Sequence, residues 1–234
     1  MVAHVRFIPY FCPYIRTIII MLNQLIVIIS LLLMPIAGVA CSGHSGGQQA
    51  TEASITPDTV TPVAKQLPPL PDKPTGTAFI VVSKKNQTLS VYDRDAGGDT
   101  VLVAQFPCCM GKNKGNKVKR GDMRTPESPA GKPFKITMIQ DASTWKHDFK
   151  DGRGNIKAYG HWFLRLETPG HSGIGIHGST NNENTVPGRA SEGCIRLLDK
   201  DIITLKEHFA YVGMPVIVQG EEQAPFDWEQ RAHN

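Results

Sequence analysis

The sequence predicts a mainly β domain, a sandwich or barrel carrying one packed α-helix. Three observations carry that reading. Short β-branched or alternating runs recur between residues 77 and 219, with Gly, Pro and Asn between them. Helical apolar spacing is convincing in one stretch alone, 199–212. Strands thus outnumber helices and lie close together, the pattern of packed sheets rather than of alternating βα units.

The elements follow in order. Residues 77–84 (TAFIVVSK) and 88–93 (TLSVYD), joined by Lys85-Asn86-Gln87, form a hairpin. Residues 100–106 are a third strand, stopped by Pro107. Gly111 then opens a loop crowded with Lys112, Lys114, Lys117, Lys119, Arg120 and Arg124. That loop reads as a solvated basic face, with an anion contact as the functional alternative. Pro133 precedes a strand over 134–140, and the polar stretch 141–159 reads as a loop or flap. Short strands follow at 162–166 and 173–177, and a closing strand at 214–219. Leu198, Ile202, Leu205, Phe209 and Val212 make one apolar stripe on the helix between them. Asp199 is placed to cap its start and Gly213 to end it.

Ahead of this domain lies a targeting segment. Residues 25–40 (LIVIISLLLMPIAGVA) are uncharged and follow Arg6 and Arg16. The run ends in small residues at Cys41, which fits lipidation of Cys41, plain cleavage, or retention as a membrane anchor. Each places the remainder outside the cytoplasm, attached through the leader or a lipid in two of the three cases. Residues 42–75 are rich in Gly, Ser, Thr, Gln and Pro and read as a disordered tether. The organisation is therefore leader 1–41, tether 42–75, folded domain 76–220 and a C-terminal tail 221–234.

The formal charge of +4 is too small to argue for nucleic acid, though it suits an anionic polymer or membrane surface. Five cysteines, two of them in or beside the leader and two adjacent at 108 and 109, do not make a disulfide framework. No metal-ligand spacing of Cys or His appears.

Two stretches carry chemistry: Gly175-Ile176-His177-Gly178-Ser179 and Ser191-Glu192-Gly193-Cys194-Ile195-Arg196-Leu197. The polar segment STNNENTVPGRA joins them and lets the chain fold back. A thiolate is the nucleophile, and a histidine can take its proton and later return one. Gly193 permits close backbone approach, and the amides around it can face a developing oxyanion. Arg196 supplies positive charge that favours thiolate and can grip a carboxylate. Ser191 is either a hydrogen-bond donor near the sulfur or a turn residue. Tyr159 and His161 can line the cleft, Trp162 either the cleft or the core, and His171 reads as an exposed turn residue.

The stretch from His177 to Arg196 resembles the signature of the L,D-transpeptidase (YkuD-like) catalytic domain, in which I-H-G is followed by S-H-G-C-I-R. IVVSKKNQTLSVYD, QFPCCMGKN, GDMRTPES and GMPVIV resemble other parts of that domain in order. The resemblance implies an L,D-transpeptidase-like β-sandwich with Cys194 as nucleophile and His177 as base. It also implies a backbone carbonyl near Gly178 as the orienter of His177 and no cofactor. The implied substrates are peptidoglycan stem peptides, with a stem amine or a wall-anchored protein as acyl acceptor, and carbapenem-type β-lactams as acylating agents. Glu192 departs from the pattern, which has His there. Its backbone N–H still serves the oxyanion, but its carboxylate should raise the Cys194 pKa. A hydrolase using the same pair, or a non-catalytic peptidoglycan-binding module, are the rival readings.

Overall fold

The computed structural model describes residues 67–233. The leader, Cys41 and the tether up to residue 66 lie outside the described residues. Twelve strands and two α-helices follow. The strands are β1 Phe79–Ser83, β2 Thr88–Arg94, β3 Thr100–Pro107, β4 Cys109–Gly111, β5 Phe134–Asp141 and β6 Lys146–Asp148. Then come β7 Asn155–Lys157, β8 Trp162–Leu166, β9 Gly175–His177, β10 Gly188–Ser191, β11 Ile195–Arg196 and β12 Pro215–Gln219. The helices are α1 Asp199–His208 and α2 Asp227–His233.

Ten strands form one sheet in the order β10-β4-β11-β9-β8-β5-β12-β1-β2-β3, and β6 and β7 form a separate hairpin. β5 joins the halves. Its first residues pair with β12 through Phe134 and Lys135, and its later ones pair with β8 out to Asp141. A register shift between Ile136 and Met138 marks the changeover, the usual place for a bulge that re-aims a strand. Both halves then face one core. Ile80, Val82, Leu89 and Val91 from one side meet Leu164, Ile176 and Ile195 from the other, with Ile202 and Leu205 of α1 and Phe209 just after it between. This is the mainly β sandwich that the sequence predicts.

Several boundaries differ for physical reasons. α1 stops at His208, because Phe209 leaves helical geometry and the chain turns so that Gly213 N–H reaches Ile136 O at 2.7 Å. Val212 consequently falls off the apolar stripe and is exposed. Asp199 does not cap the helix, since Leu198 holds that position. β4, β10 and β11 are too short to show a period, so the sequence does not announce them. The polar stretch 141–159 contains the β6–β7 hairpin, whose alternation is equally brief.

The C-terminal segment, read as a tail, forms α2 and packs on the outer face of β1 and β2. Trp228 lies edge-on to Tyr92 at 5.0 Å between ring centroids and to Phe79 at 5.3 Å. Val81, Tyr92 and Ala232 are buried in this second layer. Glu229, itself buried, accepts from Gln219 Nε2 at 2.6 Å and from Phe226 N–H at 2.8 Å. At the other end, residues 67–75 have neither helix nor strand, yet His208 contacts Pro71 O at 2.6 Å and Thr75 donates to Asp93 at 2.7 Å. The last stretch of the expected tether is thus pinned to the domain.

Trp228→Ala is expected to destabilise the fold by about 2 kcal/mol, the worth of one large, partly buried apolar group. Urea unfolding of the wild type and variant measures it. An unchanged midpoint would mean that α2 contributes nothing to the domain.

Candidate active site

The site is assembled by strand register. β11 runs parallel to β9 with Arg196 opposite His177 and Ile195 opposite Ile176. β9 runs antiparallel to β8 with His177 opposite Phe163. Facing residues share a side of a sheet, so Phe163, His177 and Arg196 form a row across three strands. Cys194, two residues before Arg196, lies on the same side. Gly175 leaves room there, because a Cβ at that position would meet the Phe163 ring at 2.4 Å. The Phe163 ring stacks on His177 at 5.6 Å and 13°.

His177 is 3% exposed. Its Nδ1 lies 2.6 Å from Gly178 O. A carbonyl only accepts, so Nδ1 carries the proton and Nε2 is left as the basic nitrogen. Tyr159 covers the ring at 4.8 Å, and Gly178 N–H donates to Tyr159 O at 2.8 Å. Asp199 braces the loop beyond, accepting from Ser179 N–H at 2.7 Å and from the Thr180 hydroxyl.

Cys194 is half-buried, and its thiol donates to Gly173 O at 3.4 Å. Among the described residues no hydrogen bond joins Sγ to the imidazole. The turn before Cys194 is closed by Ser191, whose Oγ donates to Cys194 O at 2.6 Å and accepts from Gly193 N–H at 3.1 Å. Ser191 is therefore a turn residue, and in this state the Gly193 amide is engaged rather than open to an oxyanion. Gly193 has φ +137°, and a Cβ there would stand 2.8 Å from Arg124 O, so only glycine fits.

Burial sets the protonation states. It pulls the His177 pKa down to about 3, helped by the Arg196 charge and opposed by the Gly178 hydrogen bond. Burial also pushes the Cys194 thiol up. A backbone hydrogen bond and the Arg196 charge pull it back, whereas Glu192 adds to the rise. The sequence-based direction for Glu192 is correct, but burial is the larger cause. The resting site is a neutral thiol beside a neutral imidazole.

These residues line a cleft of about 400 Å³. One wall is the β6–β7 hairpin, with His147 and Phe149; the Arg196 guanidinium lies 5.1 Å from the Phe149 ring centre. The opposite wall is the basic loop, where Lys117 and Arg120 reach the cleft.

The chain's residues 77–218 match the family model of the L,D-transpeptidase catalytic domain, YkuD. The chain belongs to this family. Similar solved structures include Bd1075 of Bdellovibrio bacteriovorus, at 19% identity and TM-score 0.44, covering 64% of this chain and 51% of that one. An L,D-transpeptidase from Mycobacterium smegmatis matches at 20% identity and TM-score 0.43, covering 61% and 58%. The helical cell shape determining protein Pgp2 from Campylobacter jejuni matches at 19% and 0.44, covering 67% and 52%. The chain thus spans little more than half the length of these proteins. A comparison with curated proteins found no match.

Within this L,D-transpeptidase domain, Cys194, His177, Arg196, Glu192, Ser191 and Tyr159 gather at the cleft. Trp162 does not: it points to the opposite side of β8, packs against the core and lies under Lys206 of α1 at 4.4 Å. His161 is exposed. His171 is half-buried rather than free in solvent, and its Nε2 contacts Lys117 O at 3.1 Å.

Sequence reasoning missed three contributors. Lys117, assigned to a solvated loop, is 7% exposed and pairs with Asp122 at 2.7 Å. Lys84 is buried and donates to Gly115 O, Thr125 O and Glu127, tying the basic loop to β1. Asp199 braces the His177 loop. An acid spaced within the basic run, Asp122, was the one available signal.

Two outcomes follow from the neutral pair. Iodoacetamide labelling of Cys194 in the ligand-free protein is expected to keep rising above about pH 8.5, the ordinary thiol pKa. A plateau near neutrality would contradict it. The His177 pKa is lowered on folding, so its share of stability is present above about pH 6.5 and lost as pH falls toward about 3. Urea unfolding at pH 7 and pH 4 should show a smaller acid loss for His177→Gln than for wild type.

Proposed function

We propose that the domain performs acyl transfer on peptidoglycan stem peptides outside the cytoplasm, as an L,D-transpeptidase with Cys194 as nucleophile and His177 as base. The observation that carries this is the row Phe163–His177–Arg196 beside Cys194, with Nδ1 of His177 committed to Gly178 O. That arrangement supports an imidazole whose remaining nitrogen serves the cleft.

The thiol turns from Gly173 O and passes its proton to His177 Nε2 as Sγ attacks the carbonyl between the third stem residue and terminal D-alanine. The C–S bond forms, and the oxyanion meets the amides of the Glu192–Gly193–Cys194 turn, with Gly193 N–H released from Ser191 Oγ. The imidazolium then protonates the leaving nitrogen, the C–N bond breaks and D-alanine departs. An amine from another stem, or from a wall-anchored protein, attacks the thioester and regenerates the thiol. Arg196 draws a substrate carboxylate into the cleft. Cys41 anchors the chain through a lipid, or the leader itself does so, and no cofactor takes part.

Intact-mass spectrometry with a disaccharide-tetrapeptide tests this. Loss of D-alanine with a crosslinked product is expected from the wild type and from neither Cys194→Ala nor, within about 100-fold, His177→Gln. D-alanine loss without crosslinks would assign hydrolysis instead. Absence of any acyl-enzyme would leave a binding module.

A further inference from the structure

We propose that Glu192 selects the acyl acceptor by binding its cationic amine; this rests on the acyl-transfer reading above. Among the described residues lining the cleft, Glu192 is the only carboxylate, set among Lys117, Arg120, Arg165 and Arg196. Two of these cations already have partners. Lys117 holds Asp122 at 2.7 Å, and Arg165 holds Gln140 at 3.1 Å. Such a cleft attracts an anionic donor peptide and repels an ammonium group. Glu192 supplies the cleft's own carboxylate, two residues from the sulfur, whereas Asp151 of the adjoining cavity is held by Arg153 at 2.7 Å.

Its position fits that task. The Glu192 side chain is 48% exposed, open to an incoming group. It also lines a second cavity of about 350 Å³, which shares Phe149, Ser191 and Arg196 with the first but not Cys194. Glu192 therefore stands where a second reactant would pass from one cavity toward the thioester. The His147 ring nitrogen lies 3.3 Å from its carboxylate. That imidazole occupies the place we assign to the amine and would be displaced by it.

The carboxylate also raises the thiol pKa, which opposes attack in the first step. Its benefit falls in the second. The acceptor ammonium binds Glu192, which holds it at the mouth of the cleft, and it gives one proton to solvent as it leaves the carboxylate for the thioester. The freed amine nitrogen attacks the thioester carbon and gives its second proton to His177 Nε2. The C–N bond forms, the C–S bond breaks, and the imidazolium reprotonates the sulfur.

The experiment uses the full-length protein acylated by the disaccharide-tetrapeptide, with two acceptors in competition. One is a diamino-acid stem carrying a side-chain ammonium, and the other is hydroxylamine, uncharged at pH 7. Product ratios are read by mass spectrometry. Glu192→Gln should lower the ratio of stem to hydroxylamine product about 10-fold, and Glu192→Asp should restore most of it. His147→Ala should not lower the ratio, because the amine replaces that ring. Equal falls in Glu192→Gln and His147→Ala would overturn the proposal in favour of a contact that merely holds the hairpin. An unchanged ratio in Glu192→Gln would overturn it outright while leaving acyl transfer standing. Failure of the wild type to form an acyl-enzyme would overturn both.

Discussion

The parallel pairing of β9 with β11 is the constraint on which the site depends. It is two residues long in β11, yet it fixes which side chains share a face. A slip of one residue would turn Arg196 and Cys194 to the core side and bring Ile195 into the cleft. The register is held at both ends. Leu197 N–H donates to His177 O at 2.8 Å, and the Ser191 hydroxyl locks the turn on the other side. Ile176 and Ile195, both buried, fix the opposite face in the hydrophobic core. Burial of this apolar pair therefore specifies the position of the polar one.

The second constraint is the closure of the basic loop. Lys84 brings a charge into the interior, where desolvation is costly unless the ion is paired and fully hydrogen-bonded. Here it meets two loop carbonyls and Glu127, and Glu221 lies 3.6 Å away. Glu221 in turn holds Arg189 of β10 at 2.6 Å. One network thus joins β1, the loop bearing Lys117, the strand leading into the Cys194 turn, and the segment after β12. Removing Lys84 would leave Glu127 and two loop carbonyls without this partner, so the wall of the cleft is coupled to the integrity of the fold.

The sequence made the sandwich and the chemical pair legible, for different reasons. Strands of five or more residues have a readable period, and Gly-Cys-Ile-Arg after Ile-His-Gly is a specific arrangement. β4, β10 and β11 have no period because they are too short; long-range pairing makes them strands. The helix α2 left an indirect trace. Phe79 to Val82 is unbroken apolar rather than alternating, which signals a strand covered on both faces. The roles of Lys84, Lys117 and Asp199 depend on partners 19 or more positions distant or on turn geometry. Composition carries no record of either.

The electrostatics of the cleft draw these threads together. A buried imidazole favours its neutral form and a buried thiol resists ionising, so Cys194 and His177 do not rest as an ion pair. The cations around them have other engagements: Lys117 in a salt bridge, Arg196 over an aromatic ring. A substrate that brings a carboxylate to Arg196 would change the field at both the sulfur and the imidazole. It would weaken the positive potential that depresses the His177 pKa, making that nitrogen a stronger base. The same neutralisation would raise the Cys194 thiol, which the Arg196 charge pulls down, so the two shifts oppose each other in proton transfer. The burial that shapes the fold is thus also what keeps both groups neutral in the free protein.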